Sequence, residues 1–454
     1  MNFFILIIGL GIGSAIPVYT IKYQKKGLFR NLSLFVLPTF LLFTILIYII
    51  SNPIATLYNS PLLGDLLKIG CLFLFGTRFF LFIVGIFLSK EKFNLLSFIM
   101  LISQIFGFLL TIILLINNFS VFSIYIGLIA TVFLEIILSL IFGNRILREK
   151  SETSKVEDIK SISKIALPSY GQESSQYVYD SLIIFLIGFF FSKSETAIYY
   201  YANNLNVAIL FFTTIIISIG IPAFARLQKD RQEFYIAKLF KFISIIFVPL
   251  IFFIIAGSTY ITSILYGPAY LNSGYILNFI IFFALFRYFN TLFYVYYLNR
   301  KNRILMVVYR VISLAVFIIS FYLSISLYYD ISITMLSVIG GEACLTFLYC
   351  ITFLKETNRI TKIFKYRSLY SFIVLSIFYI GIIILFKYFI VLTLVEILII
   401  TGILLVLYPI FVSLLKILDG IEIDLLEKLI RSLKYFSRPL LFLLSLIKKL
   451  SIRH

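Results

Sequence analysis

Apolar runs of about 20 residues, long enough to cross a hydrocarbon core of about 30 Å as helices, recur along almost the whole chain. They fall at 3–21, 31–50, 66–88, 95–116, 119–142, 165–191, 197–224, 242–258, 276–298, 304–325, 333–354, 368–386 and 388–415. Each run is continuously apolar, whereas a barrel strand alternates over about ten residues, so the pattern predicts an all-α polytopic membrane protein of about 13 spans. The longest internal polar stretch, RILREKSETSKVEDIKSISK from Arg145 to Lys164, mixes acids and bases and reads as a surface connection. It divides the chain into an N-terminal bundle over 1–143, a cytoplasmic connection over 144–164, a C-terminal bundle over 165–354 and a further two-helix unit over 355–415. In the tail, 416–454, apolar and charged residues alternate at helical spacing, with Ile423, Leu426, Leu429 and Leu433 on one face. That spacing predicts an amphipathic helix lying at the cytoplasmic interface, the alternative being a short fourteenth span from Leu440.

Composition removes the soluble alternatives. Of 454 residues 61% are hydrophobic and only 13% charged, with a mean hydropathy of +1.08, against about 25% charged residues in a soluble domain. The balance of 39 Lys and Arg to 20 Asp and Glu, a net charge of +19, points to nucleic acid in a soluble protein. Here it follows the connections instead: alternate ones and the tail hold 33 Lys and Arg, the opposite ones only Lys193 and Lys387. Basic connections stay in the cytoplasm, which predicts a cell-membrane protein with its N-terminus outside and C-terminus inside, and no nucleic-acid partner. The three cysteines, Cys71, Cys344 and Cys350, lie in apolar runs without metal or thiol-exchange spacing, and the one histidine is His454. No HExxH, P-loop, GxSxG or dinucleotide motif is present, so neither an enzyme, an ATP-driven pump nor a metal centre is expected. No basic n-region precedes the first run, which is expected to be retained.

Polar residues inside spans are costly and face protein or water. Glu173, Gln176, Tyr177 and Asp180 share one helical face and are candidates for a polar path. Arg78, Arg287 and Arg310 are the intramembrane cations, Arg287 with Asn290 and Tyr294 on the same side. Arg287 either lines the path or pairs with Glu342 or Asp180. Glu342, after Gly340 and Gly341, is a path residue, half of a buried pair, or a proton or sodium ligand; Glu135 and Glu396 are the other buried acids. Beyond Tyr199, Tyr200 and Tyr201, Asn203 and Asn206 either bond sugar hydroxyls or pack helices. Pro17, Pro168 and Pro222 interrupt spans as fixed kinks or as gates. No cofactor is implied, and coupling to Na+ or H+ stays open.

The first span ends GSAIPVYTIKY and the seventh SIGIPAFARLQK, two similar segments six spans apart, which suggests parallel bundle repeats. GLGIGSAIPVYTIKYQKKG resembles the second helix and basic loop of the oligosaccharide-unit (Wzx-type) flippases of the MATE-like superfamily. LPSYGQESSQYVYDSLIIFLIGFFFSKSETAIYYYANNL resembles their seventh helix and the turn into the eighth, SIGIPAFARLQ the end of the eighth, and ILYGPAYLNSG the stretch before the tenth. At the turn into the eighth helix, Ala197 stands where such transporters usually have Gly. The match begins at their second helix, so the first family helix is expected to be missing, through a late start or a tolerated truncation. The resemblance implies a flippase that moves a polyprenyl or dolichyl (pyro)phosphate-linked oligosaccharide by alternating access, with glycan-assembly enzymes as partners; a monomer is expected. An ion-coupled multidrug exporter of the same superfamily is the alternative. A membrane glycan polymerase or ligase is a third, disfavoured because the connection at 259–275 holds no ionisable residue besides tyrosines.

Overall fold

The computed structural model describes residues 11–23, 27–57, 61–149, 155–300 and 302–357. The spans at 368–386 and 388–415 and the amphipathic tail lie outside the described residues, as do Glu396 and the beginning of the first span. The described chain is helical: α1 (Ile12–Lys22), α2 (Leu28–Leu57), α3 (Pro61–Ser89), α4 (Phe93–Ile116), α5 (Phe122–Phe142), the short α6 (Asn144–Leu147), α7 (Lys155–Phe190), α8 (Lys193–Arg226), α9 (Lys229–Tyr266), a 3-10 turn at Pro268–Tyr270, α10 (Leu271–Leu298), α11 (Ile304–Tyr328) and α12 (Ile331–Thr357). In hydrocarbon a helix satisfies its own backbone polar groups, so an apolar run of this length has no competing local structure.

Eight helices among the described residues, α2 to α5, α8 and α10 to α12, are long and apolar enough to cross a membrane. The chain is thus an all-α multi-pass membrane protein. Two further runs, 165–191 and 242–258, lie in helices of a different character. α7 has 36 residues, about 54 Å at 1.5 Å per residue, and starts at Lys155, within the stretch expected to be a connection. Its middle is polar, with Ser169, Gln172, Glu173, Gln176 and Asp180. α9 has 38 residues and contributes a shorter apolar stretch, Phe253–Tyr266. Hydropathy registers only the part of a helix matched to lipid, while backbone hydrogen bonding continues past the interface where charged side chains are solvated.

The chain forms two compact units. Of the described residues, the first comprises those within 11–191, 211–232 and 290–323, and the second those within 192–210, 233–289 and 324–357. In the first, α2 and α5 pack on α3, α4 on α5, and α1 lies against both α3 and α7. Close approach rests on glycine: a Cβ on Gly85 would stand 2.7 Å from the Gly13 carbonyl oxygen, joining α1 to α3, and one on Gly107 2.9 Å from that of Gly127, joining α4 to α5. Ala15, Ile16, Val18, Val36, Leu74, Ile83 and Phe87 are fully enclosed in its core. In the second, Phe240 stacks on Phe289 and Phe247 on Tyr288, at centroid separations of 4.0 and 3.9 Å, fastening α9 to α10. The Tyr288 hydroxyl donates to the Ile209 carbonyl of α8.

Candidate functional site

The polar face of α7 organises the first unit. Oε1 of Glu173 accepts hydrogen bonds from Ser14 Oγ of α1 at 2.8 Å, from Ser169 Oγ one turn earlier at 3.1 Å, and from the Tyr294 hydroxyl of α10 at 3.1 Å. Ser169 Oγ also lies 2.7 Å from both Ser14 Oγ and the Tyr294 hydroxyl. In each of these three bonds the hydroxyl donates and the carboxyl oxygen accepts. Ser169 and Tyr294 are buried, and Ser14 and Glu173 half-buried. Ser14 and Ser169 were not among the residues singled out from the sequence. Their only signal there is position, three residues before Pro17 and immediately after Pro168.

The three arginines have three environments. Arg310 of α11 is fully buried, donates to Gln176 Oε1 at 3.2 Å and lies over the Tyr179 ring at 5.3 Å. Arg287 of α10 belongs to the second unit, where its Nη2 stands 2.8 Å from Glu342 Oε1 of α12; the side chains are 5% and 0% exposed, and the guanidinium lies 4.5 Å from the Phe283 ring. Between the sequence alternatives for Arg287, the bonded partner is Glu342. Arg78 of α3 is half-buried and interacts electrostatically with Glu173 and Tyr170. Among the described residues its Nε has no hydrogen-bond partner.

Arg78, Glu173, Gln176, Tyr177, Asp180, Asn290 and Arg310 therefore lie in the first unit, and Asn203, Asn206, Arg287 and Glu342 in the second. Tyr177, Asp180 and Asn203 are half-buried and Asn290 is buried. Asn206 is fully enclosed in α8, and neither atom of its amide hydrogen-bonds to a described residue. Glu135 of α5 is buried and hydrogen-bonded to Gln104. Pro17, Pro168 and Pro222 stand inside α1, α7 and α8. Cys71, Cys344 and Cys350 are free thiols. Among the described residues no group of three or more His, Cys, Asp or Glu is placed to hold a metal ion.

Residues 1–274 match the model of a family described as polysaccharide biosynthesis protein. None of the curated proteins matches the sequence. Solved structures share the fold over 80% of this chain. A MATE crystal structure in the bent conformation is 17% identical, with a TM-score of 0.60 over 86% of its own chain. A MOP superfamily transporter from Pyrococcus furiosus, reported to have a binding pocket of reverse polarity that suggests a different function, is 17% identical, with a TM-score of 0.63 over 86% of its chain. An outward-facing multidrug resistance MATE family transporter of the MOP superfamily is 18% identical, with a TM-score of 0.61 over 86% of its chain. These likenesses establish the fold of the MATE/MOP transporters, and the family match establishes that the chain belongs to the polysaccharide biosynthesis protein family.

Proposed function

We propose that the protein carries a polyprenyl or dolichyl (pyro)phosphate-linked oligosaccharide across the cytoplasmic membrane by alternating access, for the assembly of a surface polysaccharide or glycan. The family match over residues 1–274 carries this reading. The headgroup enters a polar path from the cytoplasmic side, where the basic connections lie, and the lipid tail stays in the bilayer. No bond is made or broken. Arg78 is the cation best suited to a phosphate, because it is half-buried where Arg287 and Arg310 are enclosed, and guanidinium matches phosphate oxygens in pairs. Arg310 is tied to Gln176, and in this reading it holds the path's wall, while Arg287 is tied to Glu342 within the second unit. Asp180 and Tyr177 supply polar groups along it, and glycan-assembly enzymes act on the two faces.

A second reading, an ion-coupled exporter of small organic molecules, is favoured by the multidrug MATE fold and by the neutralisation of Arg287. Proteoliposomes separate the two. In vesicles holding a fluorescent polyprenyl-pyrophosphate sugar, the first reading expects headgroup transfer well above protein-free vesicles. Export of a cationic dye without headgroup transfer would replace it with the second.

A further inference from the structure

The Glu173 cluster joins segments far apart in the chain: Ser14 precedes Ser169 by 155 residues, and Tyr294 follows Ser169 by 125. Ser14 lies eight residues before Lys22, the end of α1, and Tyr294 four before Leu298, the end of α10. At 1.5 Å per residue these are about 12 and 6 Å from the ends that lead into basic connections. We propose that this cluster is a latch that, within the first unit, holds α1 against α7 and α10 near their basic ends, and that it opens and closes in each transport cycle. The inference rests on the transporter reading but not on which substrate is carried.

Four observations converge on it. First, the bonds are suited to breaking. When the helices part, water replaces each hydroxyl on Glu173, so donors and acceptors stay satisfied. The enclosed Arg287–Glu342 pair has no such exchange open to it. Second, the latch adjoins two helix interruptions, with Ser14 one turn before Pro17 and Ser169 next to Pro168, and a proline removes a helix hydrogen bond and permits a bend. Third, further contacts continue it toward the basic ends: Lys22 Nζ donates to the Asn299 carbonyl at 3.3 Å, and the more exposed Arg226 stands 3.0 Å from Glu91. Fourth, the helices meet at Gly11, at φ +60°, where a Cβ would clash with the Ala166 carbonyl and stand 2.6 Å from the Tyr170 amide nitrogen. A side chain there is a wedge between α1 and α7.

The test uses the full-length protein with Cys71, Cys344 and Cys350 replaced by Ala. Tyr177→Cys, one turn beyond Glu173 on α7, serves as reporter, and a membrane-impermeant maleimide is applied to vesicles from the basic-loop face. Glu173→Ala and the wedge Gly11→Ala are each expected to speed labelling several-fold; Glu173→Gln, which keeps the shape and loses the charge, substitutes if Glu173→Ala does not elute as a single species. Ser14→Cys with Ser169→Cys should form a disulfide under mild oxidant, the paired oxygens being 2.7 Å apart. Labelling should then fall to background and return with dithiothreitol. Equal labelling with the latch intact, removed and locked overturns the proposal, as does failure of the cysteine pair to cross-link. If lipid-linked sugar is not carried but labelling follows the latch, the substrate reading falls and the latch stands.

Discussion

Arg287 and Glu342 form an enclosed ion pair, 2.8 Å from Nη2 to Oε1, that ties α10 to α12 within the second unit. Removing one partner leaves a charge stranded in low dielectric, at a cost of about 3–5 kcal/mol, whereas replacing both with apolar residues of similar volume is near neutral. Arg287→Met and Glu342→Met are therefore each expected to lower the melting temperature of detergent-solubilised protein sharply. The double variant should recover most of the loss. Additive losses in the double-mutant cycle would show that the two side chains are not coupled.

Arg78 and Arg310 should separate stability from transport. Arg310 is fully buried with Gln176 and Tyr179, so Arg310→Ala is expected to destabilise by about 2 kcal/mol or more. Arg78→Ala should change stability by less than about 1 kcal/mol and slow headgroup transfer by roughly 10-fold or more, the worth of a charge-assisted contact. Unchanged transfer by well-folded Arg78→Ala protein sinks Arg78 as the phosphate ligand.

The crossing of α4 and α5 is built on mutual contact. A Cβ on Gly107 would overlap the Thr131 hydroxyl, and one on Gly127 the Thr111 hydroxyl. Gly107→Ala should cost about 1–3 kcal/mol by overpacking, seen as a lower melting temperature. Thr131→Ala in the same chain should restore only part of it, because the Gly127 carbonyl oxygen remains 2.9 Å from the added carbon.

Orientation is open to direct measurement. With the basic connections in the cytoplasm, a cysteine at Ser192 or Asp330 should react with an impermeant maleimide added to intact cells. One at Lys92 or Asn302 should react only after the membrane is opened. The reverse pattern would invert the proposed direction of entry.

The helices themselves were legible from the linear pattern, because the bilayer imposes one length and one backbone solution on every apolar run. Their ends were not: α7 begins at Lys155 and α9 runs to 38 residues, since helix continues where hydropathy no longer reports it. The candidate charges were legible one by one, because a charge among apolar residues stands out in any window. Their partners were not. Arg287 had two possible acids and bonds Glu342, while Ser14, a small residue in a glycine-rich stretch, gave no sign that it reaches Glu173, 159 residues away.

The sequence by itself determined a multi-pass helical protein, the residues that are costly inside it, and its family resemblance, because burial in lipid and positive charge in connections act on local composition. Only the tertiary structure decided which cation is paired with an acid, which is enclosed beside Gln176 and which stays half-buried, and that three hydroxyls from α1, α7 and α10 meet on one carboxylate. Those outcomes depend on distances between helices far apart in the chain, and no local pattern of apolar and polar residues encodes which faces will meet.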